Sequence, residues 1–284
     1  MLFTVFTPTY NRGYLLDRLF QSLSRQTVRN FDWLIVDDGS TDNTEELVTH
    51  FIERADFPIR YMKQKNQGKH IAINCAMNNA AGKYFITIDS DDFLANNCLE
   101  ICQLLSIETE TEKSGGFTFI HAPEEMFSEG NTDDIKKWTQ YNTYQWDFAG
   151  EMVYVFKLEV IKKYPFPVFE NENFCQESVQ IIPIIRNYKI LFTNHTLAFG
   201  NYLEDGLSQN LYARLLENPR YAMLSFRIKL SVAKTREDAK LLARNYWDIA
   251  LKTKSISWKQ KIQGFPGRWS IIILWEKLLK RFNG

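Results

Sequence analysis

The 284-residue sequence predicts an α/β protein: a mostly parallel sheet flanked by helices, followed by a helical C-terminal extension. Two observations carry this. Short apolar runs alternate with helix-period stripes through the first third of the chain, the pattern of parallel strands joined by crossover helices. Polar clusters fall where three of those strands should end: Pro8-Thr9-Tyr10-Asn11, Asp37-Asp38-Gly39-Ser40 and Asp89-Ser90-Asp91-Asp92. Open α/β sheets bind ligands at the carboxyl ends of their strands, so three clusters on one edge point to one site. Each cluster taken singly is also ordinary turn chemistry.

In chain order, Leu2 to Thr7 is an apolar run broken by Pro8, a first buried strand. Leu15, Leu16, Leu19, Phe20 and Leu23 form a helical stripe within Arg12 to Gln26. Trp33 to Val36 is a second strand, after which Asp42 can cap a helix whose first turn carries Glu45 and Glu46. Ile59 to Met62 is a third strand, Lys69 to Ala80 a helix and Tyr84 to Ile88 a fourth strand. That strand runs into Asp89, Asp91 and Asp92, carboxylates that repel one another unless a cation or a partner group relieves them.

Composition narrows the function. Hydrophobic residues at 45% and charged residues at 24% describe a globular protein, and a net charge of zero gives no support for a nucleic-acid partner. Cys75, Cys98, Cys102 and Cys175 form no CxxC pair, which suits reduced thiols and a cytoplasmic protein. Cys98 and Cys102, four apart, read as one packed helix face. No run of about 18 apolar residues spans a membrane, and the N-terminus reads as a strand, not a signal. There is no GxG for a dinucleotide and no GKS or GKT for a P-loop. A phosphate-bearing ligand would therefore be held through a metal on carboxylates, and Mg²⁺ or Mn²⁺ prefers such oxygen ligands.

Six pieces in order, TPTYNR (7–12), SLSRQT (22–27), VDDGSTD (36–42), NQGKHIAIN (66–74), AGKY (81–84) and DSDD (89–92), resemble the family 2 glycosyltransferases and their nucleotide-sugar-binding GT-A fold. The resemblance implies that Pro8, Thr9 and Tyr10 flank the nucleotide, with Tyr10 offering a stacking face. It implies that Asp38 accepts a hydrogen bond from the uracil N3–H, as an ionised carboxylate can. Lys69 matches a region lying along the nucleotide, and a solvated helix face is its other reading. Asp89 and Ser90 fall on the donor side, Asp91 with Asp89 are the metal ligands, and Asp92 is read as a helix cap. Asn74 is read as structural.

The second half is less legible. Gly115-Gly116 precede a strand at Phe117 to His121, and Glu151 to Lys157 is another, followed by a short helix and the Pro165-Phe166-Pro167 turn. Trp138, Tyr141, Tyr144, Trp146 and Phe148 read as core or as an acceptor-sugar surface. The family places its general base second in an acidic pair that opens a helix; here the pair is Gln176-Glu177, so Glu177 matches the base, with Glu170 and Glu172 in reserve. Gly206-Leu207-Ser208 resembles a donor-side loop, although Ser208 is equally a helix cap. From Leu211 the pattern is helical. Ile271, Leu274, Trp275, Leu278, Leu279 and Phe282 form a stripe flanked by Lys277, Lys280 and Arg281, which suits an anionic membrane surface, the catalytic domain or a partner subunit.

The reading is thus an inverting, metal-dependent glycosyltransferase using Mn²⁺ or Mg²⁺. It would move a sugar from a nucleotide-sugar donor, a UDP-sugar, to a saccharide or lipid-linked saccharide in bacterial surface polysaccharide synthesis. Residues 1–210 would form the catalytic domain (1–107 for the donor, 108–210 for the acceptor), and 211–284 a helical region with peripheral membrane contact through 268–284 or contact within a homo-oligomer. The alternatives are a sugar-phosphate nucleotidyltransferase and a non-catalytic scaffold that retains the fold.

Overall fold

The computed structural model describes residues 1–111, 113–127, 136–139 (as backbone), 151–201, 210–265, 267 and 269–274. Its elements in order are β1 (Phe3–Thr9), α1 (Gly13–Ser24), β2 (Phe31–Asp37), α2 (Thr44–Arg54), β3 (Ile59–Lys63), α3 (Lys69–Asn79), β4 (Tyr84–Thr87), β5 (Phe93–Leu94) and α4 (Cys98–Glu108). There follow β6 (Ser114–Ala122), β7 (Lys136–Thr139), β8 (Glu151–Lys157), α5 (Leu158–Ile161), α6 (Ser178–Asn187), β9 (Lys189–Thr193) and β10 (Thr196–Phe199), then α7 (Leu211–Glu217), α8 (Pro219–Leu230), α9 (Arg236–Lys252) and α10 (Trp258–Gln263). Two compact units result, Met1–Phe166 with Ile184–Leu203, and Pro167–Pro183 with Glu204–Gly284.

The first unit is built on one sheet of order β3-β2-β1-β4-β8-β6-β10-β5, with β9 pairing β6 and β7. β3, β2, β1 and β4 are mutually parallel, so their carboxyl ends share one edge, while β8 runs antiparallel between β4 and β6. The predicted α/β alternation is therefore present. Pro8 does not break β1, which continues to Thr9. Pairing with β4 stops at Phe6↔Thr87 while Pro8 still aligns with Val36 of β2, so the missing N–H falls where one neighbour has ended.

Burial explains why these segments are strands and helices. Phe31 to Val36 are buried at every position, as strands covered on both faces must be. Leu16, Leu19, Phe20 and Leu23 give α1 its inward stripe, and Phe20 stacks on Phe51 of α2 with ring centroids 4.3 Å apart. Such a pair adds about 0.5–1.5 kcal/mol beyond the area it buries. Cys98 and Cys102 are buried on one face of α4, as their spacing predicts. The AGKY segment has a steric cause: a Cβ on Gly82 would lie 2.4 Å from the backbone of Phe3 and Thr4. This close approach lets Thr4 Oγ1 accept the Gly82 N–H at 2.9 Å while donating to the buried Asp32 at 2.7 Å.

Several assignments differ from expectation. β6 begins at Ser114 and includes both glycines, because Gly116 (φ +140°) packs so tightly that a Cβ would meet the Val155 carbonyl oxygen at 1.9 Å. Asn43, not Asp42, occupies the N-cap of α2, and Asp42 instead accepts from the Thr44 hydroxyl at 2.5 Å and the Gly13 N–H at 3.1 Å. β5 and β10, of two and four residues, are too short to show a period and escaped the sequence reading.

The second unit is helical, with a core that includes Phe226, Tyr246, Trp247, Phe265, Trp269 and Ile273. Thr235 with Asp238 and Ser257 with Gln260 form reciprocal capping boxes that start α9 and α10. Of the predicted C-terminal stripe, Ile271 is exposed and Leu274 packs against this core, whereas Trp269 and Ile273, four apart, are the buried pair. Arg268 and the stripe from Trp275 onward lie outside the described residues, as do Tyr141, Tyr144, Trp146, Phe148, Gly206, Leu207, Ser208 and the side chain of Trp138. Among the described residues no helix is long and apolar enough to cross a membrane.

Candidate functional site

The carboxyl edge of β1, β2 and β4 carries the three polar clusters, and hydrogen bonds tie them together. Asn11, in a left-handed conformation (φ 52°), accepts the Thr41 N–H on Oδ1 at 2.7 Å and donates its own N–H to Ser40 Oγ at 2.8 Å. The first and second clusters are thereby one surface. Tyr10 beside them is 47% exposed, so its ring is open to a ligand. Pro8 is half-buried, and Thr9 is buried with an Oγ1 that has no hydrogen-bond partner.

The two aspartates after β2 do different things. Asp37 is fully buried, accepting the Ser40 N–H at 2.7 Å and the Tyr61 hydroxyl at 2.5 Å, and it shapes the turn. Burial and the Asp37 contact push the Tyr61 phenol far up, so it stays a donor. Asp38 is 5% exposed and grips the next loop: Oδ1 accepts from Gln64 Nε2 at 2.7 Å and the Gln67 N–H at 2.9 Å, and Oδ2 accepts the Gly68 N–H at 2.7 Å. A carboxylate has about four lone-pair sites, and three of those on Asp38 are taken by this loop.

That loop delivers Lys69 at the start of α3, and its Nζ sits 2.8 Å from both oxygens of Asp89. Lys69 is therefore turned onto the acidic cluster. Asp89, Asp91 and Asp92 each offer an oxygen within 4.8 Å of the others. Arg12 reaches Asp91 at 3.5 Å, and His121 Nε2 lies 2.9 Å from Asp92 Oδ1. Burial and the neighbouring Asp89 charge hold the Asp91 carboxyl above its ordinary value. Burial does the same for Asp92, against the lowering effect of His121. On His121, burial opposes protonation, but the Asp92 hydrogen bond together with the charges of Asp92, Glu151 and Asp89 raises the imidazole. Crowded oxygens that resist ionisation are what a hard divalent cation relieves, so the donor set fits Mg²⁺ or Mn²⁺. Ser90 is buried between the first two aspartates in sequence.

Asp92 is not a helix cap. α4 starts six residues later with Asn97 at its N-cap, because β5 intervenes. Arg12 and His121 were given no role from the sequence. Arg12 carried a signal, as the last residue of TPTYNR; His121 carried none, since β6 brings it to Asp92 from 29 residues away. Asn74 is structural as expected, its side chain exchanging two hydrogen bonds with the Phe166 backbone at 2.8 and 2.9 Å.

The second unit holds Glu177, whose side chain is exposed and whose carbonyl accepts the Gln180 and Ile181 N–H groups to open α6. Gln176 accepts from Ser225 at 2.7 Å and Lys229 at 3.1 Å. Burial holds the Lys229 amine below its ordinary value. Glu170 is exposed, whereas Glu172 is spent on structure: its two oxygens accept the Arg220 and Tyr221 N–H groups of α8 and the Arg220 Nε at 2.7 to 3.1 Å.

A parallel sheet whose carboxyl edge carries these acidic loops, continued by antiparallel strands, is the GT-A architecture of nucleotide-sugar-using glycosyltransferases. Residues 4–162 match the profile of glycosyl transferase family 2, and the chain belongs to that family. An uncharacterized glycosyltransferase of Rickettsia felis is 38% identical over 126 residues, 44% of this chain and 20% of that protein. GlyA of Streptococcus pneumoniae is 33% identical over 125 residues (44% and 18%), and the chondroitin synthase of Escherichia coli 35% over 102 residues (36% and 15%). These alignments cover a fifth or less of each relative's length. Residues 1–349 of S. aureus TarS superpose with a TM-score of 0.63 at 14% identity, covering 96% of this chain and 83% of that one. The mannosyltransferase PcManGT of Pyrobaculum calidifontis gives 0.58 at 17% identity, covering 88% and 73%. At such identities the likeness is one of fold.

Proposed function

We propose that the chain is an inverting, metal-dependent glycosyltransferase that moves a sugar from a UDP-sugar to a saccharide acceptor in the assembly of a bacterial surface polysaccharide. One observation carries the reading: Asp89, Asp91 and Asp92 converge within 4.8 Å on the sheet edge that also bears Tyr10 and Asp38. TarS has been crystallised with UDP-GlcNAc and PcManGT with GDP-Man and Mn²⁺, and the relatives include chondroitin synthases. These support a nucleotide-sugar donor and a polysaccharide product.

In this reading Asp91 and Asp89 would hold the divalent cation, Mn²⁺ or Mg²⁺, which when bound neutralises charge on the leaving diphosphate. Tyr10 stacks on the base, Pro8, Thr9 and Ser90 line the donor, and the remaining Oδ2 lone pair of Asp38 takes the uracil N3–H. Lys69 adds a cation along the donor. Glu177 takes the proton from the acceptor hydroxyl as it attacks the anomeric carbon. The proposed catalytic region is 1–210, with 211–284 contacting a membrane surface or a second subunit at the cytoplasmic face.

The test is thermal stabilisation by UDP, other nucleotides and nucleotide sugars, with and without Mn²⁺, on wild type, Asp91→Ala and Glu177→Gln. UDP should raise the melting temperature only with metal, and Asp91→Ala should abolish the effect. Glu177→Gln should keep UDP binding and lose transfer by at least about 100-fold. Absence of any nucleotide shift under every metal condition would sink the reading.

A further inference from the structure

The sequence reads Asp92 as a helix cap, yet its carboxylate is partly buried and held by a residue of another strand. His121 projects from β6 and brings Nε2 to 2.9 Å from Asp92 Oδ1. Behind that oxygen stands Gly200, just after β10, whose N–H bonds the Ala122 carbonyl at 3.2 Å. A Cβ built on Gly200 would lie 2.1 Å from Asp92 Oδ1 and 3.2 Å from His121 Nε2. The pair therefore fills the room that a side chain at position 200 would need. Three separate elements, the β4–β5 loop, β6 and the end of β10, meet to fix one carboxylate.

We propose that His121 is a positioning residue that sets Asp92 as the third carboxylate toward the divalent cation, and that Gly200 is glycine to leave that pair its space. The inference rests on the metal-dependent reading above and deepens it. A hydrogen bond to one carboxylate oxygen fixes the rotation of the group and so the direction of the other oxygen. Partners of this kind change metal affinity by about 10- to 100-fold when removed. His121 touches no reacting atom and takes no part in the transfer itself. Glu151 of β8 is its register partner across the sheet.

Mn²⁺ binding to the full chain without nucleotide, followed by electron paramagnetic resonance, tests this directly. Four variants are compared with wild type: Asp91→Asn, His121→Phe, His121→Gln and Gly200→Ala. Phenylalanine keeps a ring but offers no donor; glutamine carries a donor amide where Nε2 was. His121→Phe should weaken Mn²⁺ by about 10-fold or more, Gln should restore it to within about 3-fold, and Gly200→Ala should resemble Phe. The metal-free melting temperatures of the Phe and Gln variants should agree, which a role in folding alone would not give. If Asp91→Asn loses Mn²⁺ while His121→Phe and Gly200→Ala bind as wild type does, the positioning role is overturned and the metal reading stands. If wild type itself binds no Mn²⁺, both fall.

Discussion

Gly68 donates its N–H to Asp38 Oδ2 at 2.7 Å from a backbone conformation, φ 94° and ψ 157°, that essentially only glycine adopts. The bond runs from the end of β2 to the start of α3, and it decides where Lys69 begins. Gly68→Ala should cost about 1–3 kcal/mol in backbone strain, and Asp38→Asn about 1–3 kcal/mol, since an amide can serve fewer of the three donors. Urea titration measures both. Each should also weaken UDP binding, because the loop that carries Lys69 is released; unchanged UDP affinity in both would separate the loop from the donor site.

A divalent cation bound at Asp89, as proposed, would compete with Lys69 for that carboxylate. The ammonium sits 2.8 Å from each carboxylate oxygen, so a metal arriving there meets a like charge. Lys69→Met should therefore tighten Mn²⁺ about 3- to 10-fold in the absence of nucleotide. With saturating Mn²⁺ the same variant should bind UDP more weakly, having lost a cation near the diphosphate. Calorimetric titration of each ligand reads the two effects separately, and weaker Mn²⁺ binding would contradict the competition.

Asn74 mimics a neighbouring strand for Phe166, giving an N–H to its carbonyl and taking its N–H in return. Asn74→Ala strands both backbone groups in a half-buried place and should destabilise the fold by about 2–4 kcal/mol. Asn74→Asp keeps the acceptor but sets an oxygen against the Phe166 carbonyl, and it should recover at most part of that loss. Neither should change kcat at a temperature where the protein stays folded. A fall in kcat with a normal melting curve would give Asn74 a part in the chemistry.

What the sequence made legible followed from local signals. The strands β1, β2 and β4 announced themselves because they are short buried runs, each ending in a polar cluster. Asp91 and Asp89 stood out because three carboxylates at a strand end demand an explanation. His121 and Gly200 were invisible for the opposite reason: their meaning lies in contacts with Asp92 across 29 residues and more, and nothing in the residues around them points there. Asp92 was read as a cap because the two-residue β5 gives no pattern, and Glu172 looked available because its helix partner lies 48 residues on.

His70 makes stability depend on acid. It is 2% exposed, packs edge-on against Phe166 with ring centroids 5.8 Å apart, and burial lowers its pKa from 6.5 to about 4. Above pH 6.5 the ring is neutral folded or unfolded, and the contribution is fully present. As pH falls from 6.5 toward 4 the unfolded chain takes a proton that the folded chain refuses, so stability is lost; below 4 both forms are protonated and the loss is complete. His70→Phe removes the proton site and keeps a ring beside Phe166. Its melting temperature, followed from pH 7.5 to 4, should gain on wild type through that window by several degrees. A constant offset between the two would mean the ring is not desolvated in the native state.

Glu172 and the proposed base Glu177 lie five residues apart in one short segment. Glu172 has both oxygens committed to the first turn of α8 and to the Arg220 guanidinium, and its side chain is 5% exposed. The carboxylate also suits the positive end of the helix dipole there. Glu172→Gln should lower stability by about 2–4 kcal/mol, since a bond to a charged partner and part of the cap are lost, and should leave kcat near wild type at low temperature. Glu177 is exposed and its backbone carbonyl opens α6, so Glu177→Gln should lower the melting temperature by less than Glu172→Gln does. Its kcat should fall while KM for the donor holds, because a general base acts on the acceptor proton and not on nucleotide binding. A stable Glu172→Gln that has lost kcat, beside an active Glu177→Gln, would move the base five residues up the chain and break the match with the family's acidic pair.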